Sequence, residues 1–105
     1  MGRRTTLEPG LDSRTSHSSR WHVVLLDDDD HSYEYVIEML GRLFGHPTAT
    51  AYEMAVEVDR AGRSVVFTAH RELAEFKLQQ IHEFGADPRI ERCRGSMSAV
   101  LEPAS

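Results

Sequence analysis

The sequence predicts an α+β fold, a small three-stranded antiparallel sheet packed with three helices in the order β-α-α-β-α-β, preceded by a disordered N-terminal tail. Three observations lead there. The first 20 residues hold almost no large apolar side chains, so burial cannot offset the entropy of ordering them. Two runs rich in β-branched and aromatic residues, WHVVLL and RSVVFT, and a shorter alternating run near the end of the chain have the character of strands. Between them lie three stretches with apolar residues at helical spacing. Two of these helices are adjacent, which does not suit simple βαβ alternation and favours helices covering a small sheet.

In chain order, residues 1–20 form the tail and residues 21–105 the single domain. Trp21 to Leu26 lacks polar alternation and reads as a central strand covered on both faces. The run Asp27-Asp28-Asp29-Asp30 ends it. Ser32 is a good N-cap, Glu34 lies near the positive end of the helix dipole, and Tyr33, Val36, Ile37, Leu40, Leu43 and Phe44 follow at helical spacing. This first helix spans about 32–44, and Gly45 and Pro47 stop it. Thr48 is positioned to cap a second helix that runs to about Arg60, with Tyr52, Ala55 and Val56, joined by Ala51 and Val58, as its apolar face. Ala61-Gly62 closes it. Arg63 to Thr68 is the second strand, and Arg71 to Phe84 the third helix, offering Leu73, Phe76, Leu78, Ile81 and Phe84 to the core. After the breakers Gly85, Asp87 and Pro88, a last strand over Met97 to Leu101 alternates Met97, Ala99 and Leu101 against Ser98 and Val100.

Composition narrows the function. A chain of 105 residues, 40% hydrophobic and 28% charged with a formal net charge of -5, suits one mildly acidic soluble domain and not a general nucleic-acid binder. Residues 1–20 carry +2, which leaves -7 on the rest, so the folded part is distinctly acidic. The single cysteine, Cys93, makes neither an internal disulfide nor a Cys-based zinc site, and its polar neighbourhood ERCRGS marks a bystander thiol. With no secretory segment and no long apolar stretch, a cytoplasmic location and no membrane partner are expected. His22, His31, His46, His70 and His82 are scattered without metal-ligand spacing, and no phosphate loop or nucleophile elbow occurs, so neither a metal cofactor nor an enzyme is expected.

The four adjacent Asp residues are the strongest local signal. They stand where a strand hands over to a helix N-terminus, and close carboxylates repel unless a cation offsets them. The natural guest is an ammonium group or a metal ion. VVLLDDDD before an amphipathic helix also suits a magnesium-binding receiver-like signalling domain. Against that reading, no second strand ends in an Asp, and Lys77 lies in a helix pattern and not after a strand.

The segments LLDDDDHSYEYVIEML, DRAGRSVVF, ELAEFK and SAVLEPA together resemble ClpS, the adaptor of the bacterial Clp ATP-dependent protease, over about residues 21–103. Its acidic turn and E-[FY]-V continuation are matched by Asp27, Asp28, Asp29 and Glu34-Tyr35-Val36, and its E-x-A-E-x-K stretch by Glu72, Ala74, Glu75 and Lys77. The resemblance implies a non-enzymatic adaptor. It would bind the free N-terminal residue, a bulky apolar one, of N-degron substrate proteins and deliver them to the N-terminal domain of a Clp ATPase of the ClpA or ClpC type. Asp27, Asp28, Asp29, His31, Tyr33, Val36, Ala55, Val58, Asp59 and Met97 fall at its N-degron-binding positions. Glu72, Glu75 and Lys77 fall on its ATPase-docking face, and residues 1–20 on the tail that the ATPase engages. Asp27 stands where the family usually has Asn, Asp59 where it has His, His31 where Thr is common, and Tyr33 and Ala55 where Met is common. An ionised Asp accepts hydrogen bonds but donates none, so both Asp changes strengthen the site for a cation at the expense of donors to a peptide backbone. The same departures suit a ClpS-like fold with an altered preference, for another amine or a metal ion.

Overall fold

A computed structural model describes residues 20–28, 30–91 and 93–104. The tail expectation therefore lies outside the described residues except at Arg20, which already belongs to the first strand. Strand β1 (Arg20–Leu26) is followed by helix α1 (Tyr33–Phe44), helix α2 (Thr48–Ala61), strand β2 (Arg63–His70), helix α3 (Arg71–His82) and strand β3 (Ala99–Pro103). The β-α-α-β-α-β order is the expected one.

The sheet runs β2-β1-β3 with both pairings antiparallel. That sheet removes the receiver-like reading, because such domains are doubly wound on a parallel sheet. In β1, Val23 pairs with Phe67 and Leu101, and Val24 with Val65 and Val100, with a register shift between them that takes Val66 out of the ladder. Val23 and Leu25 are fully buried in the main core with Val66 and Ala99. Val24 is also fully buried but on the other face, between Val65 and Val100, which are 40% and 39% exposed. The expected cover on both faces of β1 is thus thin on that side.

Helix α1 is capped as expected, Ser32 Oγ accepting the Tyr35 N–H at 3.2 Å, and it ends at Gly45 in the left-handed conformation. Its fully turned-in side chains are Tyr35, Val36, Met39 and Leu40, so the stripe lies slightly round from the expected one and leaves Tyr33, Ile37, Leu43 and Phe44 as its half-buried margins. Helix α2 departs at its start. The Ala51 N–H bonds the Pro47 carbonyl, which makes Pro47 the cap residue without a side-chain bond and Thr48 the first helical residue. Ala51, Ala55 and Val58 form its buried face, and Tyr52, expected there, is 51% exposed and meets Tyr33 edge to face at 5.8 Å.

Helix α3 contacts all three strands. Its buried positions are Ala74 and Ile81 with Leu78 partly covered, a seven-residue stripe that turns Leu73 and Phe76 outward, at 37% and 55% exposure. The expectation had placed both in the core. It had also run the helix to Phe84, whereas Glu83 is already its C-cap. Strand β2 continues two residues beyond Thr68, to His70. Strand β3 begins two residues after Met97, although burial alternates from Met97 as expected.

Gly62 joins α2 to the sheet. It sits at φ 85°, its N–H bonds the Val58 carbonyl, and its own carbonyl accepts the Asp27 N–H at 3.0 Å. Gly62→Ala should lose about 1–2 kcal/mol, the cost of a side chain in the left-handed region. A urea unfolding midpoint equal to that of the parent chain would contradict this.

Candidate functional site

Two backbone bonds fix the end of β1. Leu26 N–H donates to the Ser98 carbonyl and Asp27 N–H to the Gly62 carbonyl, each at 3.0 Å, so the acidic turn is held between the end of α2 and the approach to β3. Tyr33, at the start of α1, donates its hydroxyl to Asp59 Oδ2 at 2.8 Å. That bond holds the Tyr33 hydroxyl proton more tightly than usual. Asp27 and Asp59 are both exposed, whereas Val36, Ala55, Val58 and Met97 are buried in one cluster with Tyr33 packed against it. Asp27 is thus joined through Gly62 to the end of the helix that carries Val58 and Asp59, Asp59 is joined to Tyr33, and Met97 precedes Ser98, which bonds Leu26; Val36, Ala55, Val58 and Met97 themselves are residues of the main core.

Asp28 and His31 are arranged otherwise. Asp28 Oδ1 accepts the Asp30 N–H at 2.9 Å, closing the turn on itself. It also faces His31 Nδ1 at 2.8 Å, while His31 Nε2 lies 2.8 Å from the Gly95 carbonyl. The His31 side chain is only 4% exposed and tilts against Tyr35 at 4.6 Å, so it lies under the turn and not at its rim. Asp29 lies outside the described residues.

On α3, Glu72 and Glu75 are exposed, with Glu75 paired to Arg71 at 3.0 Å. Lys77 turns inward. Its ammonium donates to the Leu43 carbonyl at 2.5 Å and lies 5.6 Å from the centre of the Phe44 ring, tying α3 to the end of α1. Beside the two Glu residues, His70, Glu72, Leu73 and Phe76 line an open groove of about 360 Å³.

Asp87 belongs to the scaffold of the site, and sequence reasoning treated it only as a helix breaker. It is 1% exposed, yet its carboxylate accepts the Ser32 N–H and hydroxyl at 2.7 Å each and the Arg89 N–H at 2.9 Å, with the Arg89 guanidinium at 3.2 Å. Burial alone would push its pKa up. The donors from Ser32 and Arg89 outweigh burial and hold it at about 2. The available signal was the Asp-Pro pair, which favours a turn in which the Asp side chain bonds the backbone ahead of it.

Among the described residues no group of three or more His, Cys, Asp or Glu is placed to hold a metal ion, and no helix is long and apolar enough to cross a membrane. The family model described as "ATP-dependent Clp protease adaptor protein ClpS" matches residues 16–88. The chain belongs to the ClpS family. ClpS adaptors of Ruegeria sp. (strain TM1040) and Roseobacter denitrificans are 37% and 32% identical to it, over 68% and 76% of its length. The aligned part spans 63% of the Ruegeria adaptor and 71% of the Roseobacter one. The solved structure of Agrobacterium tumefaciens ClpS2 bound to L-phenylalaninamide superposes with a TM-score of 0.70 at 24% identity, covering 83% of this chain and 99% of that one. The ClpS fold is therefore the fold of this chain.

The Asp87 carboxylate sets a pH dependence. Its folded value of about 2 lies below the ordinary 3.8, so its contribution is complete above the ordinary value and fades as pH falls toward the folded one. Asp87→Asn should lower stability by about 2 kcal/mol at neutral pH and flatten the loss of stability on acidification. Equal urea midpoints for the two chains at neutral pH would refute the assignment.

Proposed function

We propose that this chain is a non-enzymatic adaptor that binds the free, bulky apolar N-terminal residue of substrate proteins and passes them to a Clp ATPase in the cytoplasm. The observation that supports this most is that two exposed carboxylates, Asp27 and the Tyr33-bonded Asp59, are tied through Gly62 to the same end of α2, where the core residue Val58 also lies. A free N-terminus carries one ammonium group and one side chain on the same carbon atom, which is the combination such a site favours. L-phenylalaninamide, the ligand in the ClpS2 structure, has both. Asp28 and Asp29 add negative potential at the turn, and His31 supports it from beneath.

In the typical family site, Asn at the position of Asp27 both accepts and donates. Here the rim is richer in acceptors, so discrimination rests more on the ammonium charge. Asp59 is shared with the Tyr33 hydroxyl, so the first side chain enters past an aromatic ring fixed to α2. On α3, Glu72 and Glu75 beside the exposed Leu73 and Phe76 form the face we assign to the N-terminal domain of the ATPase, of the ClpA or ClpC type. Lys77 serves that face indirectly by fixing α3 against α1. The tail, residues 1–20, would be the segment that the ATPase engages.

Peptides beginning with Phe, Leu, Trp or Tyr should bind, and their acetylated forms should bind at least about tenfold more weakly, given about 1.5–3 kcal/mol for hydrogen bonds to a charged group. Equal affinity for free and acetylated peptides, or no binding of either, would defeat the proposal. Asp59→Asn should weaken the free peptides by a similar factor and leave the acetylated ones unchanged. The double change Glu72→Lys, Glu75→Lys should weaken binding to a Clp ATPase N-terminal domain with peptide affinity unaltered; unchanged ATPase binding would move the docking face elsewhere.

A further inference from the structure

The start of β1 and the groove on α3 lie side by side. Arg20, the first residue of β1, pairs with His70 at the end of β2, and its carbonyl accepts the Ala104 N–H at 2.9 Å. Held from both sides, it fixes the point at which the chain before it joins the sheet. His70 is also one of the four residues that line the groove, with Glu72, Leu73 and Phe76. The Arg71 guanidinium stands 4.7 Å from the centre of the Trp21 ring, a second tie between the start of β1 and the start of α3. Residues 1–19, outside the described residues, are thus joined to the domain beside the groove.

The groove offers an apolar pair and a carboxylate. Leu73 and Phe76 are exposed there. Arg71 is committed to Trp21 and to Glu75, and among the described residues no ion pair reaches Glu72. The tail holds the complement, Leu11 among its few large apolar side chains and Arg14 three residues further on. Arg14 lies six residues before Arg20 and Leu11 nine, spans of up to about 20 and 30 Å in extended chain. Phe76 is six residues beyond His70, a helical rise of only about 9 Å, so the whole groove is within reach. The tail is net positive and the rest of the chain net negative, which adds a general attraction. A second copy docked symmetrically on this face would instead set its Glu72 and Glu75 against the same two carboxylates.

We infer that the tail segment around Leu11 and Arg14 docks in the α3 groove of its own chain, Leu11 against Leu73 and Phe76 and the Arg14 guanidinium on the Glu72 carboxylate. The tether makes this contact intramolecular, at an effective concentration on the order of millimolar, so a segment of only millimolar affinity fills about half of the grooves. The contact stands on the groove and the tail; its consequence rests on our assignment of this face to the ATPase. The tail then covers the docking face until the N-terminal domain of the ATPase competes for Leu73 and Phe76. Docking of that domain expels the tail, so the segment is released where the ATPase is already bound.

The test compares backbone amide spectra of the full chain and of full-length variants, each at two protein concentrations. Leu11→Asp with Arg14→Glu should move the amides of Glu72, Leu73 and Phe76, at positions far from the changes in sequence. Glu72→Lys should raise the mobility of the Leu11 amide, read by its heteronuclear NOE, and adding Arg14→Glu to it should restore the parent value. Unmoved Leu73 and Phe76 amides in the tail variant would overturn the inference. Leu73 and Phe76 shifts that vary with protein concentration would overturn it too, and would give the groove to a second copy. In the competition arm, a Clp ATPase N-terminal domain should bind the Leu11→Asp, Arg14→Glu chain at least about twofold more tightly than the parent, as half-filled grooves require. Equal affinity would refute the competition. A domain that binds neither chain would defeat the docking assignment, while the Leu73 and Phe76 shifts still decide whether the tail lies in the groove.

Discussion

The buried carboxylate of Asp87 is the contact on which the site depends. It lies in the segment between α3 and β3, which has little regular structure, yet it receives both the backbone N–H and the hydroxyl of Ser32, the cap of α1. A charge this deeply buried persists only when donors surround it, and four are supplied from Ser32 and Arg89. Nearby, the Tyr35 hydroxyl donates to the Gly85 carbonyl at 2.5 Å, a second bond between α1 and the same segment. Together they set where α1 starts and hence where the turn before it and Tyr33 within it come to lie. Loss of the Asp87 contact would leave α1 on its apolar face but free its first turn.

With that start fixed, the acidic turn becomes an organised structure with divided labour. Asp28 is spent inward, on the Asp30 N–H and on His31. Asp27 is turned to the exposed side, its backbone bonded to Gly62 at the end of α2. Asp59, one turn before that end, completes the outward-facing pair through Tyr33. Asp28 is thus held within the protein by the His31 ring below, and the carboxylates of Asp27 and Asp59 face outward, where an incoming cation would balance them. Val36, Ala55, Val58 and Met97 belong to the core against which Tyr33 packs, so an apolar side chain entering beside Tyr33 would meet apolar neighbours.

The sequence made much of this legible and for identifiable reasons. Strand β1 stood out by its unbroken apolar run, α1 by its Ser32 cap and Gly45 stop, and the acidic turn by charge alone. Resemblance to ClpS, and not spacing, connected Asp59 and Met97 to that turn, because long-range neighbours leave no local pattern. Helical periodicity misjudged Phe76, Leu73 and Tyr52, all apolar enough for a core and all exposed, since a small sheet needs only the narrow stripe of Ala74 and Ile81. The inward role of His31 and the whole contribution of Asp87 and Cys93 were hidden, as they arise from contacts across more than 50 residues of chain. Nothing in the polar surroundings of Cys93 pointed to its place 3.3 Å from the buried His31 ring.

The central claim is that one face, formed by the acidic turn, the start of α1 and the end of α2, receives an ammonium group with its apolar side chain. The most direct measurement is an NMR titration of the full chain with L-phenylalaninamide and with its N-acetylated counterpart, following every backbone amide. The account predicts that the free amine shifts Asp27, Tyr33, Val58, Asp59 and Gly62 in a saturable way, while the acetylated compound leaves them in place. Shifts centred instead on Leu73 and Phe76 of α3, or identical responses to the two compounds, would contradict it.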